Sequence, residues 1–182
     1  MTIGPGVHTY GPRSATLTVE TGRRGAAAKA GHDLVIEVTD WEATLEVGDD
    51  GTPTALSLGA DPRSLRVREG RGGIQDLKRE DIGEIEGTID REVLGGHPIE
   101  LRSTAIDPAD GGRRLRVSGT LAIAGQSRPV ELELELRADG GIAGEVTLKQ
   151  SDWGITPYSG LFGALKVADE VKVVAEARAP QG

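Results

Sequence analysis

The chain of 182 residues contains no cysteine. Disulfides, thiolate nucleophiles and cysteine-ligated zinc or iron–sulfur sites are therefore excluded, and the composition is compatible with a reducing cytoplasm. Aromatic residues are also scarce, with two tryptophans, two tyrosines and one phenylalanine. Any core or internal cavity must therefore be built mainly from aliphatic side chains.

Positive charge and long apolar runs are equally limited. Lys and Arg number 21 against 29 Asp and Glu, which gives a formal net charge of −8. Without a dense basic stripe, the chain offers no face for nucleic acid phosphates. No apolar run approaches the ~18 residues of a membrane-spanning helix, and residues 1–7 lack the basic and apolar regions of a secretion signal. We therefore expect a cytoplasmic protein with no nucleic acid partner and no stable membrane association.

Most of the chain alternates apolar and polar residues with a period of two, which predicts half-buried strands. The segments with this pattern are residues 14–20, 34–47, 56–58, 65–67, 99–106, 115–123, 130–136, 142–148 and 171–179. In the second segment the apolar positions change from even to odd numbers. A change of this kind needs an extra residue, so we predict a bulge at Thr39 and Asp40.

Residues 74–93 follow a different period. Six aliphatic residues recur at intervals of three to five, close to the helical repeat, and two glycines and a proline follow them. This pattern predicts one α-helix that ends before Gly95. Many antiparallel strands and one helix indicate a single domain over residues 1–182, and composition leaves a sandwich and a closed barrel both open.

His32 and Asp33 are the candidates for acid–base chemistry or metal binding. Neighbours on a strand point to opposite faces, so the two side chains are poorly placed to act together. We therefore expect His32 to be a turn histidine that bonds to backbone. The chain has no nucleophile elbow and no phosphate-binding loop, so we predict a protein that is not an enzyme, with no metal site.

Residues 149–166 form a glycine-punctuated segment that carries three of the five aromatic residues, Trp153, Tyr158 and Phe162, together with Leu161. A loop of this length is usually functional. Its apolar side chains could plug one end of a barrel or form a lid over a cavity. The two interpretations are compatible, because a plug that moves is a lid.

Several strings together resemble one known family. They are RGAAAKAGHDL at 24–34, LKREDIGEI at 77–85, HPIELRS at 97–103, VSGTLAIAGQSRPV at 117–130, SDWGI at 151–155 and VADEV at 167–171. In this order and spacing the chain resembles the YceI-like family of polyisoprenoid-binding, lipocalin-like proteins, and in particular a cytoplasmic subgroup of actinobacterial type. The likeness extends over nearly the whole chain.

The resemblance implies an all-β fold, a single antiparallel barrel of about eight strands with one interposed helix and an elongated apolar cavity. It also implies a long-chain apolar ligand, such as an isoprenoid or a fatty-acid-like lipid, no other cofactor, and a possible homodimer. Two rival functions are a structural or stress-response protein with a filled barrel, and an enzyme that uses His32 and Asp33. The candidate ligand contacts are Leu17, Val19, Ile36, Val38, Trp41, Leu45, Val117, Leu121, Trp153, Tyr158, Leu161 and Phe162.

Overall fold

The computed structural model describes residues 3–160 and 163–178. Most of them lie in antiparallel β-strands, as the period-two alternation predicts. The first half contains β1 (Gly6–Tyr10), β2 (Ala15–Arg24), β3 (Asp33–Val38), β4 (Trp41–Val47), β5 (Pro53–Ala60) and β6 (Leu65–Arg71). The second half contains β7 (Ile99–Ala109), β8 (Arg114–Ile123), β9 (Gln126–Leu136), β10 (Ile142–Lys149), β11 (Ser159–Gly160) and β12 (Leu165–Ala177).

The strands form one antiparallel sheet that curves into a barrel-like shape. β7, β8, β9, β10 and β12 follow one another, each paired with the next. The curvature brings an early strand and the last strand together: β2 pairs with β12 on one side and with β3 on the other. In the described residues, β9 pairs with β10 over residues 133–136 and 142–145, although β9 itself begins at Gln126.

The described residues form twelve strands rather than about eight, because two long strands are divided by bends and the short strands β1 and β11 are added to them. β3 and β4 are separated at Thr39 and Asp40, the position where the side-chain alternation predicts a bulge. β5 and β6 are separated by a short helical turn, Pro62–Ser64. Hydrogen bonds continue across the bend, since Thr39 N donates to Ser64 O at 2.9 Å and Asp61 N donates to Asp40 O at 3.0 Å.

The helix α1 (Arg79–Thr88) begins five residues later than the apolar spacing predicts and continues into a wider π-helical turn, Ile89–Val93. The Asp81 carboxylate fixes its start by accepting the backbone N–H of Lys78 at 2.9 Å. Gly95 and Gly96, with φ of 62° and 68°, follow the turn in the left-handed conformation that glycine adopts without strain. The predicted end of the helix is therefore correct.

The inward faces of the strands form two clusters of buried apolar residues. The larger one joins β1–β6 and includes Leu17, Ile36, Val38, Trp41 and Leu45. The smaller one consists of Leu101, Leu121, Val130, Leu148 and Trp153. Among the described residues, no helix is long and apolar enough to span a bilayer.

Candidate functional site

A cavity of about 620 Å³ lies between the inward faces of the curved sheet and the helix. Leucine, valine, isoleucine and alanine side chains from β2–β5, β7–β10 and β12 supply most of its lining. The cavity forms because an alternating strand places every second side chain inside, and these side chains are too small to fill the space that the sheet encloses. The predicted aliphatic interior is therefore present.

Nine of the predicted contact residues line this cavity: Leu17, Val19, Ile36, Val38, Trp41, Leu45, Leu121, Trp153 and Tyr158. Val117 is 1% exposed and does not belong to the described lining. Its placement differs from the expectation because the sequence pattern separates inside from outside but does not give the height along the barrel. Leu161 and Phe162 lie outside the described residues.

Trp153 and Tyr158 occupy different environments in the loop that the sequence singles out. Trp153 is 4% exposed, and its Nε1 donates a hydrogen bond to Leu121 O at 2.9 Å. Tyr158 is 52% exposed although part of it lines the cavity. The indole is thus anchored at the cavity wall by a hydrogen bond, while the phenol lies at its outer boundary.

The polar part of the cavity lining lies around Arg23, at the end of β2. Its Nη1 donates to Gly31 O at 2.6 Å, and its Nε lies 3.2 Å from Asp33 Oδ1. Arg23, Gly31 and His32 all line the cavity. This end of the cavity, which we call the mouth, also contains Thr21 and Tyr158.

His32 bonds to backbone at the mouth, as the sequence predicts. Its Nε2 lies 2.7 Å from Gln75 O, so this nitrogen carries the proton and donates to the carbonyl. Asp33 pairs with Arg23 instead of with His32. A side chain at Gly73 would collide with the imidazole, so the glycines after β6 allow the following loop to lie against the mouth.

The helix covers the cavity beside β6. Leu77, Ile85, Ile89, Val93 and Leu94 line the cavity from this segment. The predicted contact set omits them, although their helical spacing already marks an apolar face. The sequence shows that this face must be buried, but only the structure shows that it faces the cavity.

Burial and hydrogen bonding shift the pKa values of Tyr10 and Asp169. Burial raises the pKa of Tyr10, whose ring lines the cavity. Hydrogen bonds from the side chain and backbone of Ser151 lower the pKa of Asp169. The same bonds join β12 to the turn that carries Trp153. The part of the chain that the structure describes contains no group of three or more His, Asp or Glu residues suited to hold a metal ion.

The fold is similar to those of solved structures from Burkholderia cenocepacia and Campylobacter jejuni. The BcnA protein of Burkholderia cenocepacia is 14% identical, with a TM-score of 0.61, covering 89% of this chain and 94% of that protein. The YceI protein of Campylobacter jejuni is also 14% identical, with a TM-score of 0.59, covering 81% and 84% respectively.

Comparison with curated protein sequences gives no match. The family model described as the YceI-like domain matches residues 17–179, which include most of the sheet, the helix and the mouth. The chain therefore belongs to the YceI-like family.

Proposed function

We propose that the protein binds a long-chain apolar molecule, a polyisoprenoid or a similar amphiphilic lipid, in this cavity and carries or sequesters it without catalysis. The observation that carries the proposal is the apolar cavity of about 620 Å³, whose size falls within the range of roughly 300–1,000 Å³ common for small-molecule sites. A chain placed there would leave water at a gain of about 0.8 kcal/mol for each buried methylene. Membership in the YceI-like family supports the same ligand class.

The proposed contacts are the predicted residues that line the cavity, with the helix residues added to them. Leu161 and Phe162 remain candidates on sequence grounds. Leu17, Val19, Ile36 and Leu45 would contact the chain, and Tyr158 would lie where the ligand meets solvent. The cytoplasmic location, the actinobacterial-type subgroup and the homodimer belong to this proposal, and the last two follow from the resemblance alone.

The two rival functions have less support. A filled barrel would leave no interior space of this size between the described residues. An acid–base pair would need His32 and Asp33 available to a substrate, whereas His32 bonds to Gln75 O and Asp33 pairs with Arg23. The carrier function is the one that uses the cavity.

The test is to purify the protein from its own host and identify extracted lipid by mass spectrometry. We compare wild type with Val19→Phe, which extends a lining residue into the cavity, and with Val7→Phe, whose site on β1 is 69% exposed. We expect wild type and Val7→Phe to release a long-chain lipid, and Val19→Phe to release much less. Wild type that releases no lipid and binds no added chain would contradict the proposal.

A further inference from the structure

The cavity changes from apolar to polar along β2. Alternate residues of this strand line it, beginning with Ala15, Leu17 and Val19 and ending with Thr21 and Arg23. A cavity with aliphatic walls and a guanidinium at its mouth matches an amphiphile whose head group lies at the mouth. The two ends of a bound chain would therefore meet different chemistry.

The guanidinium of Arg23 is held in place and still has donors to offer. Asp33 contacts Nε and Gly31 O accepts from Nη1, and a side chain at Gly72 would collide with the guanidinium. A guanidinium carries five N–H groups; the hydrogen bond to Gly31 O uses one of them, and Asp33 lies beside Nε. Among the described residues, Nη2 has no hydrogen-bond acceptor, so its donors are available to a ligand.

The other charges at the mouth are more exposed than Arg23. The side chain of Arg23 is 24% exposed, against 41% for Asp33. Asp81 and Glu84 of the helix also line the cavity and are exposed, and Lys166 adds a second cation to the lining. Water and salt weaken the field of exposed carboxylates more than that of a partly buried cation. An anion at Nη2 would therefore interact with the less screened charge of Arg23, while Asp33, 3.2 Å from Nε, and the helix carboxylates would act against it.

We propose that Arg23 binds the anionic oxygen head, carboxylate or phosphate, of an amphiphile whose chain fills the cavity. This inference rests on the proposed function and adds the head group and the direction of binding. Guanidinium groups suit these heads because their planar N–H donors match the oxygens of carboxylate and phosphate. The chain enters with its apolar end first, and the head stays at the mouth.

The experiment measures displacement of the neutral probe N-phenyl-1-naphthylamine from delipidated protein at about pH 8 by three ligands with the same chain. They are palmitate, hexadecyl phosphate and 1-hexadecanol. We expect the two anions to bind about tenfold or more tightly than the alcohol, as charge-assisted hydrogen bonds do. We expect Arg23→Gln to weaken binding of the two anions far more than binding of the alcohol, so that the preference disappears.

Arg24→Gln is the matched control, because it removes the same charge from the adjacent, exposed position of β2. Since Arg23→Gln leaves Asp33 without its partner, the double variant Arg23→Gln/Asp33→Asn repeats the test with the local charge balanced. Loss of preference for palmitate alone identifies a carboxylate head, and loss for hexadecyl phosphate alone identifies a phosphate head.

Two results would overturn the inference and keep the proposed function. One is equal binding of all three ligands by wild type, and the other is an equal loss for all three in both Arg23 variants, which would show a structural role. If wild type binds neither the probe nor any of the three chains, the proposed function itself fails.

Discussion

Trp153 has a large apolar ring and one hydrogen-bond donor, the indole N–H, and both make contacts in the fold. The ring is buried against Leu121 and its neighbours, and Nε1 bonds to the carbonyl of Leu121. We expect Trp153→Ala to lower the free energy of unfolding by about 3–5 kcal/mol, as deletion of a large core side chain does. Urea unfolding followed by circular dichroism measures the change.

Trp153→Phe separates the hydrogen bond from the packing. This variant keeps most of the apolar area but leaves Leu121 O without its donor, which costs about 1–3 kcal/mol in a buried site. Tyr158→Ala is the control, because that side chain is half exposed, and we expect a change within about 0.5 kcal/mol. Equal stability of Trp153→Ala and wild type would show that the indole is not part of the core.

Asp169 makes the stability of the fold at this turn depend on pH. Its carboxylate accepts from Ser151 N at 2.8 Å and from Ser151 Oγ at 2.5 Å, and these bonds lower its pKa in the folded state. A carboxyl with a lowered folded pKa stabilises the fold above its ordinary pKa, and this stabilisation disappears as the pH falls through the folded value. We therefore expect Asp169→Asn to unfold at lower urea concentration than wild type at about pH 7, with the difference vanishing in acid.

Asp152→Asn is the matched control for this experiment. It removes an equal charge from the same turn, and Asp152 contributes its backbone carbonyl, not its carboxylate, to the contact with Arg128. A difference between wild type and Asp169→Asn that persists unchanged at acidic pH would contradict the role of the carboxylate.

The sequence singled out the segment that contributes Trp153 and Tyr158 to the cavity lining, but not the hydrogen bonds within the site. Trp153 stands out because aromatic residues are rare in this chain, whereas its acceptor is 32 positions earlier. Likewise, His32 was expected to bond to backbone, but its acceptor, Gln75 O, lies 43 positions away. Partners this distant depend on the folded arrangement of several elements, which a local pattern does not contain.

At the scale of elements, one side chain attaches the helix to the sheet. Glu86 Oε1 accepts the backbone N–H of Val67 at 3.0 Å, and Arg66 lies 3.9 Å from the same carboxylate. We expect Glu86→Ala to speed hydrogen exchange at the Val67 amide by about tenfold or more, because a hydrogen bond to a charged group contributes about 1.5–3 kcal/mol. Amide exchange followed by nuclear magnetic resonance measures it.

Glu84→Ala is the control for that experiment, since it makes the same substitution at an exposed position of the helix. If both variants change exchange at Val67 equally, then Glu86 does not hold the helix. Because the helix lines the cavity, we also expect Glu86→Ala to release bound ligand faster than Glu84→Ala does.

Long elements with a regular period were predicted well, and irregular ones were not. β8 and β10 follow their alternation almost residue for residue, and the helix ends at the predicted glycines. β1 was missed because its five residues, Gly6–Tyr10, contain two large apolar side chains three positions apart. The helix starts late because Gly72 and Gly73, both with positive φ, and the bond from His32 to Gln75 hold the preceding loop against the mouth.

At the scale of the whole molecule, the formal net charge of −8 determines the electrostatic interaction with a lipid surface. Glu131, Glu133 and Glu135 are all exposed on β9. We expect the protein to stay in the supernatant when vesicles of anionic lipid are sedimented at low salt, because like charges repel. A variant with all three glutamates changed to glutamine should pellet more, and wild type that mostly pellets would contradict the expectation.

The curvature of the sheet could not be derived from strand patterns alone. A sandwich and a barrel produce the same alternation along each strand. The difference depends on pairings such as that of Leu17 with Ala175, which lie at opposite ends of the chain. Only the resemblance to a known family indicated a barrel before the structure did.

The partial pairing of β9 with β10 has a consequence for how copies of the protein behave together. Residues 126–132 of β9 lie beyond the described pairing with β10, and the turn Gln150–Trp153 lies beside part of them, where Arg128 Nε donates to Asp152 O at 3.0 Å. A strand edge without a partner strand is a template on which another chain can add a strand. Pro129, which has no N–H, interrupts this stretch. We expect Pro129→Thr to aggregate at lower temperature in light-scattering measurements, with Ser127→Thr as the control. On this expectation Pro129 limits aggregation along the part of β9 that lies beyond β10.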